Sequence, residues 1–131
     1  DLNFQIVRDN TSKEVSQLYC DKNITYEQNL VNARETDCIV DITQDAQIGW
    51  TLRVLEALYF NKKLITNNIS LLNSNIYSSH RVFIIGHDSW DRFSDFLEAE
   101  LKPLRDDILY QYSPDYMIER IIGDTNEYNQ L

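Results

Sequence analysis

The chain has 131 residues, with 12 Lys and Arg against 21 Asp and Glu, a formal net charge of −9. That length suits one domain with its own core and is too short for two ordinary ones. The acidity argues against broad binding to nucleic-acid backbones or anionic lipid. No apolar run reaches the ~20 residues that span a bilayer, and no signal peptide opens the chain. Two cysteines without paired spacing fit a reducing compartment, and Cys38 reads as a small buried hydrophobe. A start at Asp1 rather than Met leads us to expect a piece of a larger protein.

In chain order, Phe4 to Val7 reads as a short strand, with a second near Leu18–Cys20 after a polar stretch. Thr25 followed by Gln28 has the form of a capping box, and Tyr26, Leu30 and Ala33 share one helical face, so a helix is predicted from there to about Thr36. Cys38 to Ile42 is nearly continuous apolar, as expected of a strand covered on both faces. The next helix follows Thr51 as N-cap and ends near Asn61. Ile48, Leu52, Leu55 and Tyr59 form its stripe toward the sheet, with Leu58 beside it. Lys63 to Thr66 is a strand. Residues 67 to 80 are irregular, with a turn at Leu71–Leu72. Arg81 to Ile85 is a third buried strand, closed by Gly86.

Asp88 suits the cap of a further helix whose inner side is Phe93, Phe96, Leu97 and Leu101, ended by Pro103. The last helix has Ser113 as N-cap, Pro114 at its first position and Asp115 in its first turn. Met117, Ile118, Ile121 and Ile122 form its buried side, and Gly123 is its C-cap. From Asp124 the tail is polar. Strands alternating with helices predict an α/β fold: a Rossmann-like three-layer sandwich with a mostly parallel sheet of about 4–5 strands, occupying residues 1 to 123. Ligands of such sheets bind at the carboxyl ends of the strands. The segments leaving that edge are Thr43–Gln47, Thr66–Asn68 and Gly86–Ser89.

The stretch between the first two of these carries the chemistry. A helix start presents amides and a partial positive charge to a phosphate, and Gly49 lets the backbone approach a ligand. Glu56, leaning back toward the helix start, can accept both hydroxyls of a ribose. The bland reading of Arg53 and Glu56 is a solvated i, i+3 pair worth ~0.2–0.5 kcal/mol. His87 and Asp88 sit at the same edge, as ligand contacts or as bystander and helix cap. Asp41 orients a residue at the mouth or serves in structural hydrogen bonding. No metal-ligating spacing and no cofactor loop occurs.

From Ile48 through Leu58, then from Asn61 to Thr66, the sequence resembles the donor-binding signature of GT-B glycosyltransferases. Gly49, Trp50, Glu56, Ala57 and Leu58 match it, while Ile48 and Thr51 replace an acidic residue and a glycine of the pattern. The wording is nearest a bacterial subgroup of capsule and lipopolysaccharide biosynthesis. The resemblance implies a C-terminal, donor-binding domain that holds a nucleotide diphosphate sugar through Gln47, Gly49, Thr51, Arg53, Glu56 and Thr66. Glu56 would contact the ribose. Arg8, Arg53 and Lys63 are the candidates for the diphosphate. The acceptor site would belong to an N-terminal acceptor-binding domain of the parent protein, so this domain binds donor without turnover, and its place is cytoplasmic, peripheral to the inner membrane through other parts. The alternative is a flavodoxin-like α/β module that binds a partner protein and no nucleotide.

Overall fold

The computed structural model describes residues 6–7, 19–20, 24–44 and 49–128. The chain divides into two compact units, Asp1–Asn32 and Ala33–Leu131. In the first, β1 (Ile6–Val7) and β2 (Tyr19–Cys20) pair in parallel, with Ile6 opposite Tyr19. The unit ends inside helix α1 (Tyr26–Glu35), which begins as expected: the Gln28 amide donates to the Thr25 hydroxyl at 3.2 Å. The Gln28 side chain completes no capping box. It donates instead to Asn32, one turn on.

The second unit is built on a three-stranded parallel sheet of β3 (Cys38–Asp41), β4 (Lys63–Thr66) and β5 (Val82–Ile84), in that spatial order. The expected sheet of 4–5 strands is thus three strands, and the other two described strands pair only with each other. Asp41 lies opposite Thr66, and Thr66 opposite Ile84, so the three carboxyl ends form one row. Neighbouring parallel strands need a crossover. Helix α2 (Leu52–Tyr59) supplies the first. The second has no α-helix, only a 3-10 turn at Ile69–Asn73, capped by the Asn68 side chain.

Val54, Ala57, Leu58, Leu64, Leu71, Ile76, Val82 and Ile84 make the core with Ala33 and Ile39. The face of α2 that packs is therefore Val54, Ala57 and Leu58, while Leu52 and Tyr59 of the expected stripe are exposed. Ala57 explains the choice: with no side chain beyond Cβ it lets the helix axis come close to β3 and β4. The wider stripe is served differently. Leu55 is partly buried against the margin of the core, as are Leu104, Ile108 and Leu109, and the Tyr59 hydroxyl donates to the Leu109 carbonyl. Strand β3 is covered on one face only, since Ile39 and Asp41 are buried and Val40 is exposed.

Beyond β5 the chain makes a 3-10 turn (Trp90–Arg92) capped by Ser89, not by Asp88, and runs into α3 (Phe93–Glu98). Phe83 of β5 meets Trp90, Phe93 and Phe96 in one aromatic cluster with centroids 5.1–5.6 Å from the Phe83 ring. Phe96 is buried as expected, but Leu97 is exposed. The helix stops at Glu98, ahead of Pro103, because Ala99 is extended. Lys63 holds that end: its buried ammonium donates to the Phe96 and Leu97 carbonyls at 2.6 and 2.5 Å and lies 5.5 Å from the Phe96 ring centre.

A short helix α4 (Asp106–Tyr110), absent from the sequence reading, precedes α5 (Pro114–Tyr128). Ser113 caps α5 as expected, its hydroxyl accepting from the Tyr116 amide. Gly123 does not end it: the helix runs on to Tyr128. The expected buried side is also overturned, since Met117, Ile118, Ile121 and Ile122 are all exposed. At about 100° per residue these four share one arc and Tyr116 lies on the other. Tyr116 is the half-buried side, meeting Tyr110 edge to face with centroids 5.8 Å apart. No described helix is long and apolar enough to cross a membrane.

Candidate functional site

The row Asp41, Thr66, Ile84 sets the carboxyl edge, and the segments leaving it are tied to one another. Asn67 accepts from the Thr43 amide and hydroxyl at 2.9 and 3.0 Å and donates to the Thr43 carbonyl at 2.8 Å, joining the ends of β3 and β4. Asn68 donates to the Gly49 carbonyl at 3.0 Å, fixing the approach to α2. Gly49 has φ +97°, in the region that favours glycine, and a Cβ placed there would meet nothing within 4 Å. The glycine is thus needed for its backbone conformation, beside open space. Next to it Trp50 stacks on Tyr112 with centroids 4.9 Å apart.

Thr51 is the N-cap of α2, in extended conformation, accepting from the Arg53 amide at 3.1 Å on its hydroxyl and from Val54 on its carbonyl. Two first-turn amides are therefore already used, and the helix start offers fewer bare donors than the sequence suggests. Arg53 donates to the Glu56 carboxylate. The pair is not a solvated one: the Glu56 side chain is 5% exposed and Arg53 is 38% exposed. At about 100° per residue Glu56 lies across the helix from Val54, and it is buried there. Arg53 connects it to the edge, since its charge also acts on Asp41.

Asp41, at the end of β3, is 5% exposed. Burial raises its pKa, against the Thr51 hydroxyl bond and the Arg53 charge, which lower it. Its Oδ2 has no hydrogen-bond partner among the described residues. A buried, incompletely satisfied carboxylate is a feature of sites kept for function. Its proton is held more tightly in the folded chain than in the unfolded one, so wild-type stability falls as pH rises from the ordinary carboxylate range through the raised value. In Asp41→Asn that component is gone. Urea midpoints at pH 4 and pH 7 should therefore shift in favour of the variant as pH rises.

Of the residues expected at the site, Gly49, Thr51, Arg53 and Glu56 lie together around the start of α2. Thr66 is on the same edge but fully buried, its hydroxyl accepting from the Asn68 amide. Gln47 and Arg8 lie outside the described residues. Lys63 is at the opposite, amino end of β4 and engaged with α3, so it is no diphosphate contact. Asn67 and Asn68 were missed as fastening residues. The signal was available as two asparagines directly after a strand at the ligand edge.

On β5, Gly86 (φ +85°) turns the chain so that Asp88 returns to the strand end, where its Oδ2 accepts from the Ile84 amide at 2.7 Å. The other carboxylate oxygen faces His87 Nδ1 at 3.2 Å. Asp88 thus works inward on β5 and sideways on His87, and caps no helix. Among the described residues no group of three metal-ligating side chains assembles. Cys38 is a free thiol that burial pushes up to about 11, with the Lys63 charge pulling against it. No family model, curated protein or solved structure matches the chain.

Proposed function

We propose that this chain is the nucleotide-sugar-binding part of a bacterial glycosyltransferase of surface polysaccharide or lipopolysaccharide synthesis, acting on the cytoplasmic side together with an acceptor-binding domain. The observation that carries the reading is the meeting, at the carboxyl edge, of the Gly49 turn, the start of α2, the buried Asp41 and the Arg53–Glu56 pair. In this reading the ligand exchanges places with Arg53. Ribose hydroxyls donate to Glu56, and the partly exposed guanidinium turns to the diphosphate, where a planar fork suits two phosphate oxygens. The sequence resemblance supports the same assignment of Glu56.

The variant Glu56→Gln keeps the shape and removes the charge. Calorimetric titration with uridine, guanosine and cytidine diphosphates should give one nucleotide that binds wild type and loses about 1–3 kcal/mol of affinity in the variant. Equal affinities for the two proteins would remove Glu56 from the site. A second reading, a partner-binding α/β module, is favoured by one observation: the exposed apolar arc of α5 at Met117, Ile118 and Ile122. It expects no nucleotide to bind.

A further inference from the structure

The carboxyl edge is acidic for a site that must receive a diphosphate. Glu56 pairs with the guanidinium of Arg53, whose charge also acts on Asp41, and Asp88 adds a third carboxylate on β5. Several of the other cations are engaged away from this edge. Lys63 and Arg81 are buried beside the amino ends of β4 and β5, with Arg81 donating to the Lys102 carbonyl and to Asn61. Arg34 lies against Phe60, past the far end of α2, and Arg105 pairs with Asp107. The segment leaving β5 brings His87 to the carboxyl end of that strand.

His87 is built to do more than fill a turn. Its ring is 44% exposed, while the carboxylate that holds it is 9% exposed. Asp88 is itself fixed by the Ile84 amide, so the imidazole is oriented from a rigid strand end. Nδ1 faces Asp88, and Nε2 makes no hydrogen bond to any described residue. A carboxylate behind Nδ1 favours a proton there, so that a second proton taken up by the ring sits on Nε2, where it can be donated to an anion. Asp88 is bonded to the ring, and with Arg92 it also acts on Tyr77.

We propose that His87 is the phosphate-facing group of this crevice: held by Asp88 at Nδ1, it takes up a proton at Nε2 when a diphosphate binds and donates that N–H to a phosphate oxygen. The proposal rests on the nucleotide reading for its ligand but can stand apart from it, because the recognised chemistry is the pyrophosphate alone. It makes diphosphate binding proton-coupled.

The chain carries its own control. It has two histidines, and His80 is exposed ahead of β5, at the amino edge. The ring Cε1–H signals of both are followed by NMR at pH 7 during separate titrations with inorganic pyrophosphate and with uridine. Pyrophosphate should move the His87 signal toward its imidazolium position and leave His80 in place. His87→Gln, at a ring too exposed to hold up the fold, should weaken pyrophosphate binding about tenfold. Uridine should move neither ring. The proposal is overturned if pyrophosphate fails to bind, if it binds with the His87 ring unmoved, or if both rings respond alike. The nucleotide reading fails separately, if uridine, guanosine and cytidine diphosphates all leave the amides of Gly49 to Glu56 unchanged while pyrophosphate still moves His87.

Discussion

Leu71→Ala should lower the unfolding free energy by about 2–5 kcal/mol, the largest effect expected from a single apolar truncation here. Leu71 is fully buried, although it sits in the one crossover that has no α-helix. The turn around it is fastened by polar groups: Asn68 caps its start, and the Ser74 hydroxyl donates to the Leu71 carbonyl at 2.6 Å. These bonds hold the backbone in place, so the walls cannot collapse into the space an alanine leaves, and the cavity cost adds to the lost transfer energy. Leu72, packed only at the margin of the core, provides the comparison. Urea unfolding should show the midpoint of Leu71→Ala well below that of Leu72→Ala, with similar slopes. Equal midpoints would mean that the turn repacks freely.

Lys63→Met should cost about 2–3 kcal/mol, in spite of the similar volume of the new side chain. The ammonium donates to two carbonyls at the end of α3 and lies near the face of Phe96. A cation at a helix C-terminus satisfies orphan acceptors and opposes the dipole. Methionine does neither and leaves the carbonyls in a buried place. The loss should be visible locally, as faster amide exchange from Phe96 to Ala99, before it is seen in global unfolding. Unchanged exchange there would show that water replaces the ammonium at no cost.

The elements of this fold were legible where a local rule decides them. Thr51 and Ser113 cap helices because a side-chain oxygen meets an amide two or three residues away, a matter of sequence neighbours alone. The runs Cys38–Asp41 and Lys63–Thr66 are strands by apolar content. What failed was the choice between faces. Helix α2 carries two apolar arcs, and the one with Ala57 packs because it allows the nearer approach, which no periodicity reveals. In α5 the only apolar arc faces outward, since Tyr110 meets the half-buried Tyr116 on the other side. Gly123 looked like a stop because glycine is a common C-cap, yet the helix passes through it.

The site was legible in its members more than in its electrostatics. Gly49 needs its left-handed conformation, and Arg53 and Glu56 are paired, as spacing suggests. Spacing could not say that Glu56 is buried, that the Arg53 charge also acts on Asp41, or that Thr51 consumes donors at the helix start. Each of these depends on β3 and α2 meeting at one end.

The central claim is that a nucleotide binds where α2 begins. It is tested most directly by following backbone amide signals of the protein while uridine, guanosine and cytidine diphosphates are added in turn. One of them should shift Gly49 through Glu56, together with Asn67 and Asn68, in a saturable way that Glu56→Gln weakens. If none of the three moves those signals at millimolar concentration, the start of α2 is no nucleotide site and the donor-binding account is wrong.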